Sequence, residues 1–418
     1  MEPELTPSAA PSSAASSGPS PDRRVQLLAA LEGVRPRLVE IADWIWSHPE
    51  LGNREHGAAA LLVEEARRRG FTVRTGVAGL ATSFEAHRRV GRGGLRVGFL
   101  AEYDALPSLG HACGHNLIGA ASLGAALALA EMEPAPDLDL FIYGTPAEET
   151  TGGKVNMADA GLFDHLDVAM ICHPGYQNSI GGTSLATHPI QIEFFGRPAH
   201  AAAAPERGIN ALDALLFTFN ALKAIKQHLR DDVRLPGIVV KGGEAPNIVP
   251  EYACGQFSVR AADVDYLENV VLAKVRAIAE AAALATGATV KYHHYENLYC
   301  EMRNNMALAA AFKANLESLG EQVNVLPPHQ RGGSTDVGNV SHRVPTIHPH
   351  VAIGPATLRG HTAEFATAAG GPGGHKGMWN AAAAMALTTL ELSGNPDLLT
   401  RVRSEFRATF PAAATAKA

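Results

Sequence analysis

The chain has 418 residues, 46% of them hydrophobic and 18% charged, with a formal net charge of -7. That length suits two globular domains, and the acidic balance gives no electrostatic case for nucleic acid, whose phosphates call for a basic face. No stretch reaches the roughly 18 consecutive apolar residues of a membrane span, and four cysteines in so long a chain do not make a disulfide framework, so a reducing cytoplasm is the expected compartment.

Residues 1–22, MEPELTPSAAPSSAASSGPSPD, are rich in Pro, Ser and Ala, with no apolar run and no basic start. They are expected to be a disordered tail and not a secretory signal. From Arg23 to about Gly70 an amphipathic helical pattern dominates, interrupted by the turn His48-Pro49-Glu50-Leu51-Gly52 and followed by strand-like FTVRT. LRVGFLAEY (95–103), DLFIYG (139–144) and VAMIC (168–172) then read as strands, with the small-residue helix NLIGAASLGAALALAEM (116–132) between the first two. Apolar strands separated by helices predict a parallel sheet with crossover connections.

The texture changes near Ala186. Strand, long helix, two strands, long helix and strand follow one another from HPIQIEFFGR to ATVKYHHYE. This β-α-β-β-α-β order is the ferredoxin-like pattern, and it reads as a domain over 187–297 inserted into a discontinuous α/β domain of 23–186 and 298–418. After Cys300 the alternation resumes with a helix at about Asn305–Leu319, a strand PTIHPHVAIG (345–354) and a last helix from about Lys376 to Leu392.

In an open parallel sheet, ligands collect beyond the carboxyl ends of the strands. There the sequence reads DALPSLGHACGHN, TPAEET and HPG. In Gly110-His111-Ala112-Cys113-Gly114-His115 the glycines free the backbone for a tight loop, and a thiolate and an imidazole stand two residues apart before a helix. Alone, Cys-x-His is weak and reads equally as a buried cysteine with a loop histidine. Glu148-Glu149 is awkward after a buried strand unless a cation binds there, because packed like charges raise each other's pKa. His173 and His361 are each ordinary loop or core histidines when taken singly. Together, a Cys, several His and two Glu at strand ends point to a divalent-metal cluster with a carboxylate base.

These stretches, with FFGRPAHAAAAPERGINALDA, GGEAPNIVP, GGSTDVGNVS and GHTAEF, resemble the dinuclear metallopeptidases and amidohydrolases of peptidase family M-twenty. The likeness runs from about residue 38 to 395, and is strongest to the amidohydrolase-like branch of p-aminobenzoyl-glutamate hydrolases, auxin-conjugate hydrolases and cytosolic β-alanyl-lysine-type dipeptidases. It implies a zinc-peptidase-like α/β catalytic domain and an inserted lid and dimerisation domain. It implies further that Cys113, His115, Glu149, His173 and His361 hold two divalent metal ions per subunit, Zn or Mn with Co as a further option, and that Glu148 is the general base. By the same resemblance His200 stabilises the oxyanion in a neighbouring subunit's site, while Asn247 and Arg260 grip the substrate's free carboxylate. The expected reaction is hydrolysis of the amide of a dipeptide or N-acyl amino acid by a homodimer.

Two departures stand out. Where the wider family carries His-x-Asp, this chain has Glu102-Tyr103-Asp104, and where the branch reads HACGHD it has Asn116. If the branch's Asp orients a ligand, Asn116 can still accept a hydrogen bond but carries no charge. Two rival readings are a cysteine-nucleophile amidase using Cys113 with His115 or His111, and a non-catalytic peptide-binding scaffold. The first leaves Glu148, Glu149, His173 and His361 idle.

Overall fold

A computed structural model describes residues 20–409. Positions 1–19 of the expected tail lie outside the described residues, but its last three, Ser20 to Asp22, do not. Ser20 caps α1 (Pro21–Ser47), its hydroxyl accepting from Arg23 N, and Pro21 takes the first helical position, where a missing N–H costs nothing. The helix therefore starts two residues before the expected boundary. Its buried stripe is Leu27, Leu31, Val34, Leu38, Ile41 and Ile45, spaced by three or four residues.

The chain continues through α2 (His56–Arg68), β1 (Thr72–Thr75), β2 (Phe84–Val90), β3 (Leu95–Ala101), α3 (His115–Ala130), β4 (Leu138–Gly144), α4 (Gly153–Asp159) and β5 (Val168–Met170). Every residue of α3 is buried. Small residues make that packing achievable: a Cβ added at Gly119 would sit 2.9 Å from the Glu102 carbonyl oxygen, so any larger residue would push the helix off β3's exit.

After β6 (His173–Gly175), β7 (Ser179–Thr183) and β8 (Ala186–Thr187) comes a second unit: β9 (Ile190–Phe195), α5 (Ala211–Ile225), β10 (Gly237–Lys241), β11 (Tyr252–Phe257) and β12 (Arg260–Ala261). There α6 (Val264–Tyr266) runs through a π-helical stretch, Leu267–Leu272, into α7 (Ala273–Thr286), and β13 (Thr289–His294) follows. β9 alternates buried Ile190, Ile192 and Phe194 with half-buried neighbours, as a strand covered on one face should. Those residues join α5 and α7 in a core of their own. The sheet order is β10-β11-β9-β13 with antiparallel pairs, the arrangement of a βαββαβ unit.

The remaining elements are α8 (Met306–Glu317), β14 (Asn324–Arg331), α9 (Val337–Ser341), β15 (Thr346–Ile347), β16 (His350–Ala352), α10 (Ala363–Ala369), α11 (Pro372–Gly394) and α12 (Pro396–Thr409). The main sheet has six strands in the order β1-β2-β4-β3-β5-β15. It is mixed where a parallel sheet was expected: β3, β4, β5 and β15 pair in parallel, but β2 runs antiparallel to β4, and β1 antiparallel to β2. β2 and α12 have no counterpart among the expected elements.

The expected strand 345–354 is also two strands. β15 pairs with β5 in the main sheet, and β16 pairs with β6 in a separate sheet of order β14-β7-β16-β6. Pro349 lies at the break and has no N–H for a continuous ladder, while its carbonyl accepts from His173 N at 2.8 Å. Both neighbouring strands thus change sheets together, which brings His173 beside His350 in the register.

Candidate metal centre

The carboxyl ends of β3 and β4, and the sheet changes after β5 and β15, open on one cavity of about 420 Å³. Cys113, Glu148, Glu149, His173 and His361 line it. Their donor atoms fall into overlapping groups, Cys113 with His115 and His173, Cys113 with Glu149 and His361, and His115 with Glu148 and Glu149, each spanning no more than 4.8 Å. All five expected ligands and the expected base therefore converge, and Cys113 belongs to two of the groups.

Each side chain is aimed by its own local structure. Gly114 enters α3 with φ 77°, a left-handed turn that sets His115 at the helix start. His115 Nδ1 lies 2.9 Å from Asp104 Oδ1, which leaves Nε2 facing the cluster. Asp104 Oδ2 accepts from Glu149 N at 2.9 Å, so one carboxylate fixes two of the expected ligands. His173 Nδ1 lies 2.6 Å from the Pro174 carbonyl, and its Nε2 is 3.4 Å from Cys113 Sγ. His361 is exposed, yet its N–H donates to Ala112 O at 2.9 Å and its Nε2 stands 3.3 Å from Glu149 Oε1.

Backbone strain gathers here. Ala147 at φ 63° and His361 at φ 61° are non-glycine residues in the left-handed region. The buried Glu55 carboxylate holds the first of these turns by accepting from Ala147 N at 2.8 Å, and Tyr299 closes it by donating its hydroxyl to the Glu148 carbonyl at 3.0 Å.

Beneath the cluster lies a buried ammonium. Lys154 Nζ is 2.6 Å from Glu102 Oε1 and 2.7 Å from Asp336 Oδ1. Glu102 is thus committed to a lysine at the place where the wider family has a histidine.

The electrostatics follow from burial and crowding. Burial, reinforced by the negative charges of Glu102 and Asp336, holds the Glu148 carboxyl well above the usual range, as suits a group that takes and returns a proton. Burial pushes the Cys113 thiol up to about 12, so without a cation it is protonated at neutral pH, the wrong form for a nucleophile. Burial would raise Asp104, but the adjacent His115 outweighs it and holds the carboxyl below its ordinary value. Burial and neighbouring imidazoles keep His173 and His348 neutral, and burial brings His350 to about 4.

The donor set fits divalent ions. Thiolate, imidazole and carboxylate are the ligands of Zn and its neighbours, and His115 Nε2 and Glu149 Oε1 are buried without a hydrogen bond among the described residues.

The other expected site residues divide. Arg260 lines the same cavity and donates to Ser258 Oγ at 3.1 Å and Ser334 Oγ at 3.4 Å. His200 and Asn247 are exposed on the second unit and do not line the cavity of their own chain. His200 Nδ1 already accepts from Ala202 N and Ala203 N at 3.2 Å each. Asn116 orients no ligand: its amide donates to Ala42 O and Ala369 O, tying α3 to α1 and α10. Asp104 performs the orienting instead. His111 is buried, held neutral with a pKa of about 4 by that burial, and stays outside the donor groups.

The family description Peptidase family M20/M25/M40 matches residues 98–369. The chain is 38% identical over 386 residues to the Xaa-Arg dipeptidase of Mus musculus, covering 89% of each chain. It is 29% identical over 453 residues to a p-aminobenzoyl-glutamate hydrolase component of Escherichia coli K12, covering 90% of this chain and 93% of the relative. Among solved structures, an aminobenzoyl-glutamate utilization protein from Klebsiella pneumoniae superposes with a TM-score of 0.70 at 20% identity over 88% of this chain and 98% of its own. A Bacillus subtilis protein described as a dinuclear metal-binding peptidase of the same family gives 0.64 at 19% identity over 86% and 99%.

The chain belongs to this metallopeptidase family and is a hydrolase. Within the family, its similarity spans nearly the whole length of a dipeptidase and of an amidohydrolase component.

Proposed function

We propose that this protein hydrolyses the amide bond of dipeptides or N-acyl amino acids that carry a free carboxylate, with Glu148 as general base. The observation that carries the reading is the placing of Glu148, Cys113, Glu149, His173 and His361 on one cavity with Arg260, with His115 completing the same donor groups from beneath it. Two divalent ions held by those donors would polarise the scissile carbonyl and lower the pKa of the attacking water.

The chain's own residues do the rest. Arg260 grips the carboxylate with its planar two-donor fork, which sets the amide toward Glu148. Glu148 takes the proton of the attacking water and delivers it to the leaving nitrogen, and its raised pKa suits both halves of that exchange. Asp104 keeps His115 and Glu149 aimed throughout.

His200 and Asn247 enter from a second subunit in this reading, since neither reaches the cavity of its own chain. Support for a homodimer comes from β10, the edge strand of its sheet, which leaves Ile238, Val239 and Val240 62%, 46% and 51% exposed. A hydrophobic edge of this kind invites pairing with a second copy. The segment 187–297 would then serve as lid and dimerisation domain on the catalytic body of 23–186 and 298–418. Four unpaired cysteines support a cytoplasmic location, and no helix among the described residues is long and apolar enough to cross a membrane.

A panel of dipeptides and N-acyl amino acids, assayed with Zn²⁺ or Mn²⁺, tests the reading. Chelation should abolish turnover and re-addition restore it. Activity that survives chelation but dies on thiol alkylation would establish the cysteine nucleophile instead, and metal-loaded protein inert on the whole panel would favour the binding scaffold.

A further inference from the structure

Where the chain enters and leaves the second unit, a group of ionisable side chains meets that the proposed reaction does not use. His188 stands between β8 and β9, His294 ends β13, Glu268 lies in the π-helical stretch and Arg276 in α7. The two imidazoles stack, with centroids 3.3 Å apart and planes 17° from parallel. His188 Nδ1 lies 2.5 Å from Glu268 Oε1, and Arg276 Nη2 lies 2.9 Å from His294 Nε2. The charged and titratable groups that act on His294 are thus His188 from the link between β8 and β9, Glu268 from the π-helical stretch and Arg276 from α7.

The hydrogen bonds fix the proton of His294. A guanidinium N–H only donates, so Nε2 accepts from Arg276, and Nδ1 donates to the Pro189 carbonyl at 3.0 Å. His294 is therefore neutral with both ring nitrogens engaged. A second proton would turn Nε2–H against the guanidinium and place a charged ring on its stacked neighbour. Burial, with the charges of His188 and Arg276, accordingly holds the His294 imidazole below its ordinary value.

The cluster adjoins the strand that carries the carboxylate grip. Thr187 pairs with Arg260 between β8 and β12 and exchanges both backbone hydrogen bonds with Tyr299 at 2.9 Å, while His188 N donates to Val259 O at 3.0 Å. The backbone that presents Arg260 to the cavity is thus tied to the backbone of His188. We propose that His294, acting with His188, Glu268 and Arg276, positions Arg260 for the substrate carboxylate, and does so only while its Nε2 carries no proton. The proposal rests on Arg260 as the grip in the reading above and adds to it the residues that set the grip and its dependence on acidity. A proton binds His294 less readily in this arrangement than when the cluster comes apart. The arrangement is therefore fully supported above the ordinary histidine range and weakens as the pH falls through it.

The test follows KM and kcat of the metal-loaded full-length protein, on the best-cleaved dipeptide of the panel, between about pH 7.5 and about pH 5.5, either side of the ordinary histidine value. Glu148 and the metal donors titrate alike in wild type and variant, so the wild type is read as a ratio to His294→Gln. That amide can accept from Arg276 and donate to Pro189, but it takes no proton. KM should agree at the upper pH and be at least about 5-fold higher in the wild type at the lower, the small end of common couplings between sites, with the kcat ratio flat. Arg276→Met should raise KM at neutral pH and flatten its pH dependence, because the charge that opposes the second proton is gone; it carries the comparison alone if His294→Gln does not fold. Hydrogen exchange over 186–190 and 258–261, corrected for pH, should quicken on acidification in the wild type and not in His294→Gln. A KM ratio constant with pH overturns the proposal, as does one that moves together with kcat, which would make the cluster a general support of the fold. If nothing on the panel is cleaved the hydrolase reading fails, while equal exchange in the two proteins would separately overturn the control of this junction by His294.

Discussion

In the main sheet, β4 is buried along its whole length and β3 over most of it, with α3 lying wholly inside the body. The second sheet is covered on one face by α5 and α7, while its edge strand β10 is exposed along most of its length. The body supplies all five donors and the base, and the second unit supplies Arg260 to the cavity. A hydrolytic site needs both kinds of support: donors held to tenths of an ångström by close packing, and a binding group on a unit free to approach substrate. The two regions should accordingly fail in different ways when mutated.

The largest loss should come from the body. Glu148→Gln is expected to lower kcat by about 10² to 10⁴ with bound metal unchanged, which elemental analysis alongside kinetics will show; retained turnover would remove Glu148 from the mechanism. His200→Ala tests the other region, with an expected fall of roughly 10² to 10³ in kcat and little change in KM. Unchanged turnover there would end the shared-site reading. Asp104→Asn should weaken metal binding about 10- to 100-fold, since it no longer sets the His115 tautomer; a competition titration with a chromophoric chelator measures this. On the exposed edge, Val239→Asp should shift the protein to a monomer in light scattering, and activity should fall with it if His200 acts across the interface. Smallest of all, Leu284→Ser, at an isolated apolar side chain on α7 that is 86% exposed, should alter stability by no more than about 0.5 kcal/mol and leave assembly intact.

The sequence made the strand ends legible because ligands of a parallel sheet gather there, and it made the βαββαβ order legible because each element carries its own period. β2 was hidden by its composition. Its core half is Phe84 and Ala86, but His87, Arg88 and Arg89 read as a polar loop until Asp139 on the neighbouring strand is seen to pair with His87 and Arg89. The break at Pro349 carries its own signal, since the proline in His348-Pro349-His350 argues against one unbroken strand over PTIHPHVAIG, although the apolar residues on either side read as one.

In the site, motif spacing exposes what binds, and tertiary contact alone exposes what supports. Asp104, Lys154 and Asp336 come from the exit of β3, from α4 and from the residue before α9. No local pattern links residues so far apart in the chain. Asp336 stood inside the recognised stretch GGSTDVGNVS and Asp104 inside DALPSLGHACGHN, but neither could be given a role until the partner was located.

The buried ammonium of Lys154 bears on how the protein reaches its finished form. A newly made chain must close its body before it can present donors to an ion, and that body encloses Glu102, Asp104 and Asp336 at essentially no exposure, with Glu148 and Glu149 just above. Carboxylates gathered without a counter-charge would oppose closure. Lys154 brings that charge within the chain itself, bonded to Glu102 and Asp336, so folding and ion loading become separate events. Refolding of the ion-free wild type should therefore succeed, whereas Lys154→Met should refold only when a divalent ion is present from the start.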